Sequence, residues 1–295
     1  MAYGTPSTPQ DIAQYYTRIR HGRPPSDELL SDLTRRYAAI GGTSPLAERT
    51  AAQVAALAAA LEEVEPGGYD VRFGSKYQPP LLEAAAHSFR EDGFSRVVGL
   101  ALAPHSSSLS TDQYMSRAKA ALGDNVALSA VGSWYRAPGF YELMARRVLD
   151  ALARVDPERH PTTEVIFSAH SLPLKILDAG DDYPEQLRES ADAVAHLAHL
   201  DAYDVAWQSA GRTSDPWIGP DILAVLRDKR SRGVTDVVSC PIGFVSDHLE
   251  VLFDIDVEAQ AVAREIGLHL VRTASLNDDR DFVAVLRDVV RAAAA

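Results

Sequence analysis

The chain has 295 residues, more than one ordinary hydrophobic core serves, and this length suits two domains of about 150 residues each. Hydrophobic residues make up 46% and charged residues 24% of the chain, a globular composition that excludes wholesale disorder. The net charge of −12 makes nucleic acid a poor default partner, although it allows a local basic pocket or a site for a metal cation.

Apolar, β-branched runs alternate along the chain with longer helical patterns. The runs predict strands at residues 69–73, 96–102, 126–131, 164–168, 203–207, 236–240 and 268–272. The helical patterns predict helices at residues 8–20, 26–39, 45–63, 79–92, 111–122, 139–154, 184–198, 219–231, 246–266 and 278–292. Several of the strands are nearly continuous apolar runs, which is typical of strands covered on both faces.

This alternation predicts an α/β fold of two units, each a parallel sheet flanked by helices. We place the first domain at residues 1–145 and the second at residues 146–295. The sequence contains neither G-x-G-x-x-G nor G-x-x-x-x-G-K-[ST], so a doubly wound nucleotide-binding enzyme lacks its phosphate-binding motif.

The chain contains a single cysteine, Cys240, which excludes an intrachain disulfide and a four-cysteine metal site and fits a reducing cytoplasm. The first residues show no basic and apolar pattern of a secretory signal. The alanine-rich run at residues 51–61 is too short to cross a bilayer and predicts a buried helix, so we expect a soluble protein.

Residues 168–173 (SAHSLP) follow the apolar run Val165-Ile166-Phe167, so His170 lies at the carboxyl end of a predicted strand. Ligands bind at this edge of open parallel sheets, which makes His170 a candidate site residue. The alternative is a histidine that only bonds a neighbouring backbone carbonyl, and position alone does not separate the two.

Residues 241–250 (PIGFVSDHLE) follow the next apolar strand and lead into a helix on which Glu250, Asp254 and Glu258 recur every four residues. These carboxylates share one face, where they repel one another. Such a row is usually a solvated acidic surface. Because it starts at the end of a strand, it could also bind or conduct a divalent cation.

Two further groups invite a ligand. Arginines near the amino terminus, in a chain of net negative charge, suggest an anionic ligand, because arginine grips carboxylates bidentately; they are Arg20, Arg23, Arg35 and Arg36. Surface salt bridging is the alternative. Trp207 and Trp217 occupy a segment rich in Gly and Pro, where they could line a flat aromatic ligand or fill a core beneath a loop.

Together these segments resemble the ferrochelatase family over nearly the whole chain. The motifs at 168–173 and 241–250 are highly specific for it, and the segment from Trp207 to Pro220 is also characteristic. The segments at 15–24 and 36–46 resemble the monomeric branch from Gram-positive-type bacteria, which inserts ferrous iron into coproporphyrin III to form coproheme. The resemblance implies two Rossmann-like, chelatase-type domains with a porphyrin cleft between them.

Site residues carry over by motif. His170 and Glu250 are implied as the catalytic, metal-handling pair, and Asp254 and Glu258 as the acidic row that continues the metal path. Tyr3 is implied to contact the iron of the product from the other side of the macrocycle. The residues implied to bind the propionates of the porphyrin are Arg20, Arg36, Tyr37, Ser44 and Tyr114.

Two departures from the family pattern matter. Relatives have an apolar strand before the segment MAYGTP, whereas this sequence opens with it, which would remove most of a central strand and leave Tyr3 on a loose terminus. Either the start was chosen too far downstream, or the strand is missing and stability suffers. Tyr77 occupies the place of a histidine proposed to bind metal in relatives, which puts a second metal site there in doubt. With a single cysteine the chain cannot bind an iron–sulfur cluster. We also expect no other cofactor.

The residue chemistry agrees with a chelatase, because a histidine can accept the two pyrrole protons that leave when a divalent metal enters a porphyrin. The alternatives are a protoporphyrin IX ferrochelatase, a porphyrin or haem carrier without turnover, and, ranked low, a cobalt or nickel chelatase. We expect coproporphyrin III and Fe²⁺ as small-molecule partners, a cytoplasmic monomer without stable membrane association, and transient contact with the next enzyme of haem synthesis.

Overall fold

A computed structural model describes residues 1–295 and contains two separate parallel sheets. The first sheet pairs β1 with β2 in register from Arg96 against Ala127 to Leu100 against Val131. The second has four strands in the order β4-β3-β5-β6. The strands are β1 (Arg96–Leu100), β2 (Ala127–Val131), β3 (Thr163–His170), β4 (Tyr203–Gln208), β5 (Asp236–Cys240) and β6 (His269–Arg272). The α/β class and its parallel sheets are confirmed.

Helices account for most of the remaining chain. They are α1 (Ile12–Ile19), α2 (Asp27–Ala39), α3 (Leu46–Val64), α4 (Leu82–Glu91), α5 (Thr111–Leu122), α6 (Phe140–Leu152), α7 (Lys175–Asp178), α8 (Tyr183–Leu197), α9 (Ile222–Ser231), α10 (Leu249–Val251), α11 (Gln260–Glu265) and α12 (Arg280–Ala294). A π-helical segment, Leu252–Ala259, joins α10 to α11. Short 3₁₀ turns precede α1 and β3, and the patterns did not predict the second of these or α7.

The second sheet is the best-buried part of the molecule. Every residue of β5 is buried, and β3 is buried from Val165 to Ala169. This matches the continuous apolar runs of the sequence, because helices cover both faces of the sheet. The carboxyl ends of β3, β4 and β5 therefore meet at one edge, where the chain emerges from the core.

The predicted strand at residues 69–73 is wrong. The segment is not part of a sheet, because the position beside it holds an apolar groove of about 590 Å³ rather than a strand. The groove lies along β1, beside which Met1 forms two hydrogen bonds: the amino group of Met1 donates to the Leu100 carbonyl at 2.7 Å, and Leu102 N donates back to the Met1 carbonyl at 2.9 Å. Extended backbone without a neighbouring strand forms no ladder.

The expectation that Tyr3 lies on a loose terminus is also wrong. Ala2 forms a parallel bridge with Ser75, and the backbone N–H groups of Lys76 and Tyr77 donate to the carbonyls of Ala2 and Tyr3 at 2.9 and 3.1 Å. The ring of Tyr3 packs edge-on against Tyr77, with centroids 4.8 Å apart. The first residues are thus held in place by residues 74–77.

The single helix predicted at residues 246–266 is interrupted by the π-helical segment. Hydrogen bonds in a π-helix run from i to i+5, so one turn takes more than four residues, whereas an α-turn takes 3.6. A spacing of four residues overshoots an α-turn and falls short of a π-turn. The mixture therefore keeps Glu250, Asp254 and Glu258 closer to one line than a uniform α-helix.

The two units are tied together by buried contacts. Gln53 on α3 donates through Nε2 to the Asn277 carbonyl at 2.7 Å and to Ser246 Oγ at 2.9 Å. The last helix, α12, packs against α3, β1 and β2, and α6 packs against α8 of the second unit. The division at residues 145/146 stays a prediction. None of the helices combines the length and apolarity needed to cross a membrane.

Candidate functional site

A cleft of about 660 Å³ lies between the two units. Eight of the ten side chains assigned to a site from the sequence line it: Tyr3, Arg36, Tyr37, Ser44, Tyr114, His170, Glu250 and Asp254. Arg20 and Glu258 do not line the cleft, although Ile19 and His21 on either side of Arg20 do. The topology thus brings together residues that are separated by more than 200 positions in the chain.

His170 is the last residue of β3, and the loop after β5 fixes its surroundings. Gly243 N donates to the Ser168 carbonyl at 3.1 Å, and a Cβ at Gly243 would lie 2.4 Å from Ala169 Cβ. Only glycine allows this loop to lie so close to the strand. The hydroxyl of Tyr183 donates to the His170 carbonyl at 3.0 Å, which holds the end of the strand from the other side.

Glu250 is brought to His170 by the same edge of the sheet. Gln208, the last residue of β4, accepts from Ser168 Oγ at 3.0 Å and donates to the Glu250 carbonyl at 2.8 Å. Glu250 Oε1 then lies 3.6 Å from His170 Nε2, and its other oxygen lies 3.5 Å from His248 Nε2. The pair is about one-third exposed, at 32% for His170 and 35% for Glu250, so it faces the cleft.

The two side chains shift each other's protonation. Burial alone would lower the pKa of His170, but the Glu250 carboxylate outweighs it and raises the pKa to about 9. Burial would likewise raise the pKa of Glu250, yet His170 and His248 hold it well below its ordinary value. At neutral pH the pair is therefore an imidazolium beside a carboxylate, with one proton kept at the mouth of the cleft. His170 Nδ1 faces the Ser171 carbonyl, which favours a proton there.

Asp254 continues from Glu250 on the π-helical segment and is buried. Burial raises its pKa to about 6; Ser209, whose hydroxyl donates to Oδ2, and Arg36 oppose this, while Glu250 and Glu258 add to it. No group of three or more His, Cys, Asp and Glu side chains is arranged to hold a metal ion.

The first unit contributes a wall of tyrosines around Lys76. Its Nζ lies 5.9, 5.2 and 5.5 Å from the ring centres of Tyr3, Tyr77 and Tyr114, and it donates to Gln113 Oε1 at 2.5 Å. Burial, with Arg117 nearby, lowers the pKa of Lys76 to about 8. The flat rings form a surface of the kind that a flat ligand covers, with a buried cation among them.

The two arginines assigned to the site differ in their partners. Arg36 donates through Nε to Asp32 at 3.0 Å, and its Nη1 lies 3.7 Å from Asp254. Arg20 lies over the Tyr16 ring at 5.9 Å, and its buried Nε has no hydrogen-bond partner. An unpartnered buried donor at the edge of a cleft is a place for an anionic group.

The sequence left open whether the two tryptophans line a ligand site or fill a core, and each of them does one of the two. Trp207 is only 2% exposed and packs against Tyr183 at 5.5 Å, so it fills the core. Trp217 lines the cleft, and its indole N–H donates to Thr213 Oγ1 at 3.0 Å. Of these two tryptophans, only Trp217 can contact a ligand in the cleft.

Comparison with known families agrees with this geometry. The family model described as ferrochelatase matches residues 1–294 of the chain. The chain belongs to the ferrochelatase family. Curated relatives include a ferrochelatase of Herpetosiphon aurantiacus, 42% identical over 98% of this chain and 96% of the relative. Coproporphyrin III ferrochelatases of Halalkalibacterium halodurans and a Geobacillus species are 44% and 43% identical, over 99% and 98% of this chain and 94% and 95% of theirs.

Solved structures share the fold of this ferrochelatase family member at much lower identity. The sirohydrochlorin chelatase SirB of Bacillus subtilis subspecies spizizenii, in complex with cobalt, superposes with a TM-score of 0.51 at 12% identity, over 82% of this chain and 89% of SirB. SirB from Bacillus subtilis with Fe³⁺ gives a TM-score of 0.52 at 14% identity, over 83% and 90% of the two chains. The chelatase-type fold predicted from the sequence is confirmed.

Several residues of this ferrochelatase-family cleft were missed by sequence reasoning. Gln208 and Tyr183 hold the backbone on either side of the His170–Glu250 pair, and His248 contacts the free oxygen of Glu250. Gln208 follows a predicted strand directly, so its position at the carboxyl end was an available signal. Lys76 carried none, because a lone lysine next to Tyr77 is ordinary on a surface.

Proposed function

We propose that the chain inserts ferrous iron into coproporphyrin III, giving coproheme and releasing two protons. The observation that carries the proposal is the His170–Glu250 pair, 3.6 Å apart at the edge of a cleft large enough for a macrocycle. Membership of the ferrochelatase family sets the reaction class. The names of relatives 43–44% identical over nearly the whole chain support coproporphyrin III as the substrate.

The protonation of the pair suits the reaction. In the free protein the Glu250 carboxylate keeps a proton on His170. A divalent cation that approaches Glu250 cancels the charge that retained this proton, so the proton leaves and the imidazole becomes neutral. The neutral imidazole can then accept the two pyrrole protons one after the other, releasing the first to solvent before it takes the second, as the metal enters the ring. Glu250 thus couples the arrival of the metal to the availability of the base.

The polar walls of the cleft suit a substrate with several carboxylates. Coproporphyrin III has four propionates, and we assign their binding to Arg20, Arg36, Tyr37, Ser44 and Tyr114. Arg36, Tyr37, Ser44 and Tyr114 line the cleft, and Arg20 has a free buried donor beside it. We assign Tyr3, which packs on Tyr77 in the tyrosine wall, to the face of the macrocycle away from His170.

We further propose Asp254 and Glu258 as steps on the metal path to Glu250. Asp254 is buried beside Glu250 within the cleft, whereas Glu258 lies farther along the π-helical segment and outside the cleft. The acidic side chains thus lead from outside the cleft to its catalytic pair. Their spacing on the mixed helix keeps them close to one line.

The test is anaerobic insertion of Fe²⁺, followed by visible absorbance, with coproporphyrin III and protoporphyrin IX in parallel. We expect multiple turnovers with coproporphyrin III at a much higher kcat/KM. A preference for protoporphyrin IX would keep the reaction and overturn the substrate. Binding of both porphyrins without turnover would overturn the enzyme assignment in favour of a carrier.

A further inference from the structure

Arg36 stands between two carboxylates from different units of the molecule. Its Nε donates to Asp32 Oδ2, also on α2, at 3.0 Å, and its Nη1 lies 3.7 Å from Asp254 Oδ1 on the π-helical segment. The guanidinium lies over the Phe253 ring at 5.2 Å. A quarter of the side chain is exposed, and it lines the cleft. Arg36 therefore touches the porphyrin cleft and the acidic row at once.

The two carboxylates depend on Arg36 to different degrees. Asp32 has two other guanidinium partners, Arg35 at 2.8 Å and Arg212 at 3.2 Å. Asp254 has no ion pair except that with Arg36. The separation of 3.7 Å is longer than a hydrogen bond, so charge rather than a fixed geometry joins Arg36 to Asp254. A second anion can therefore draw the guanidinium of Arg36 away from Asp254, while Asp32 keeps its other two arginine partners.

Arginine has five N–H donors, so Arg36 can keep Nε on Asp32 and still grip a carboxylate from the cleft. We propose that Arg36 couples the two substrates: a porphyrin carboxylate that binds Arg36 takes over its positive charge and leaves Asp254 free to attract the divalent cation. The inference rests on the proposed function, because it takes the porphyrin and the metal path from it. Arg36 is a positioning residue, since it acts on the cation through Asp254.

The coupling works in both directions. Without porphyrin, the positive charge of Arg36 opposes a cation at Asp254, which keeps the metal path weak until an acceptor for the metal is present. By linkage, a cation at Asp254 must raise the affinity of Arg36 for a carboxylate by the same factor. Couplings between ligand sites are typically about 5- to 150-fold. The expected effect is within reach of ordinary titrations.

The test measures Co²⁺ affinity of the porphyrin-free protein by calorimetry. Arg36→Gln removes the opposing charge, so we expect it to bind Co²⁺ about fivefold or more tightly than the wild type. Arg35→Gln is the matched control. Arg35 shares Asp32 and lies over the same Phe253 ring at 5.4 Å, but it has no contact with Asp254. We expect Arg35→Gln to stay within about twofold of the wild type.

A double-mutant cycle locates the effect. In an Asp254→Asn background, Arg36→Gln should no longer tighten Co²⁺ binding, because the carboxylate through which it acts is gone. Equal affinity of Arg36→Gln and the wild type would overturn the coupling. So would an equal gain in Arg35→Gln, or a gain that survives in Asp254→Asn. The insertion assay separates the two proposals: if the wild type turns over and these results fail, only the coupling fails.

Discussion

His170 and Glu250 act on each other more than on anything else in the cleft. Glu250 raises the pKa of His170, and His170 helps to hold the pKa of Glu250 low. We expect His170→Ala to abolish iron insertion while the porphyrin stays bound, because the proton acceptor is lost and the wall of the first unit is untouched. Turnover and porphyrin fluorescence measure the two effects. Near-wild-type turnover would refute the role of His170.

Substitutions of the acidic residues should reduce activity less as their distance from His170 increases. We expect Glu250→Ala to lose most of the activity, because Glu250 is the one that contacts His170, at 3.6 Å. Asp254→Ala and Glu258→Ala should be milder, and steady-state rates at several Fe²⁺ concentrations would rank them. If all three changes are silent, the row is only an acidic surface.

His105 predicts a specific loss of stability in acid. It is buried, bonded through Nε2 to Ser190 Oγ at 2.9 Å and stacked on Tyr135, and its Nδ1 has no partner. Burial lowers its pKa from 6.5 to about 3. Below pH 6.5 the unfolded chain takes up a proton that the folded protein refuses until about pH 3. The folding free energy attributable to neutral His105 is therefore complete above pH 6.5 and is lost as the pH falls.

Removing this group should flatten that dependence. We expect the unfolding free energy of His105→Asn to fall less steeply between pH 6 and 4 than that of the wild type, by up to about 1.4 kcal/mol per pH unit. Urea denaturation at several pH values measures the slope. His87→Asn, on the exposed side of α4, is the control. Parallel curves for wild type and His105→Asn would contradict the prediction.

At this scale the sequence was informative where a polar residue follows an apolar strand. That rule found His170, and motif resemblance found Glu250 and the residues of the first unit. Neither showed that Arg36 approaches Asp254, because the two residues are 218 positions apart in the chain and only the fold brings them together. Lone residues such as His105 also gave no signal, since burial is what makes them unusual.

Among the elements, the loop after β5 depends most on a single residue. A methyl group at Gly243 would lie 2.4 Å from Ala169 Cβ and 2.9 Å from its Cα, next to His170. We expect Gly243→Ala to cost about 1–3 kcal/mol by overpacking, and to reduce activity further by moving the end of β3. Gly132, which follows β2, is the matched control, because its nearest atom is 3.8 Å away. Equal thermal stability of the two variants would contradict this.

Elements were predicted well where burial and periodicity agree, as in β5, whose bounds match, and α5. They were not predicted where tertiary structure decides. Residues 69–73 have the composition of a strand but no neighbour to pair with, and composition does not report neighbours. The π-helical segment was read as α-helix, because its apolar pattern alone does not distinguish a wide turn from a normal one.

For the whole molecule, α12 is the element that joins the units. Phe282 is fully buried and packs on Trp134, and it belongs to a core cluster that extends from Leu57 in α3 to Val165 in β3. We expect Phe282→Ala to cost about 3–5 kcal/mol and to destabilise both units in one transition. Coincident urea curves from circular dichroism and tryptophan fluorescence would show this. Arg291→Ala, exposed on the same helix, should change little; two separate transitions in Phe282→Ala would contradict the shared core.

The position of α12 also determines the order in which the parts of a nascent chain can complete their folding. The helix packs on α3, β1 and β2, yet it is synthesised after every strand of the second sheet. At roughly 5–20 residues per second, the ribosome needs on the order of 10–40 seconds to travel from the end of α3 to the start of α12. During that interval the apolar side of α3 has no final cover. The amino-terminal half is therefore synthesised first but completes its folding last, and it is the part that a chaperone would have to shield.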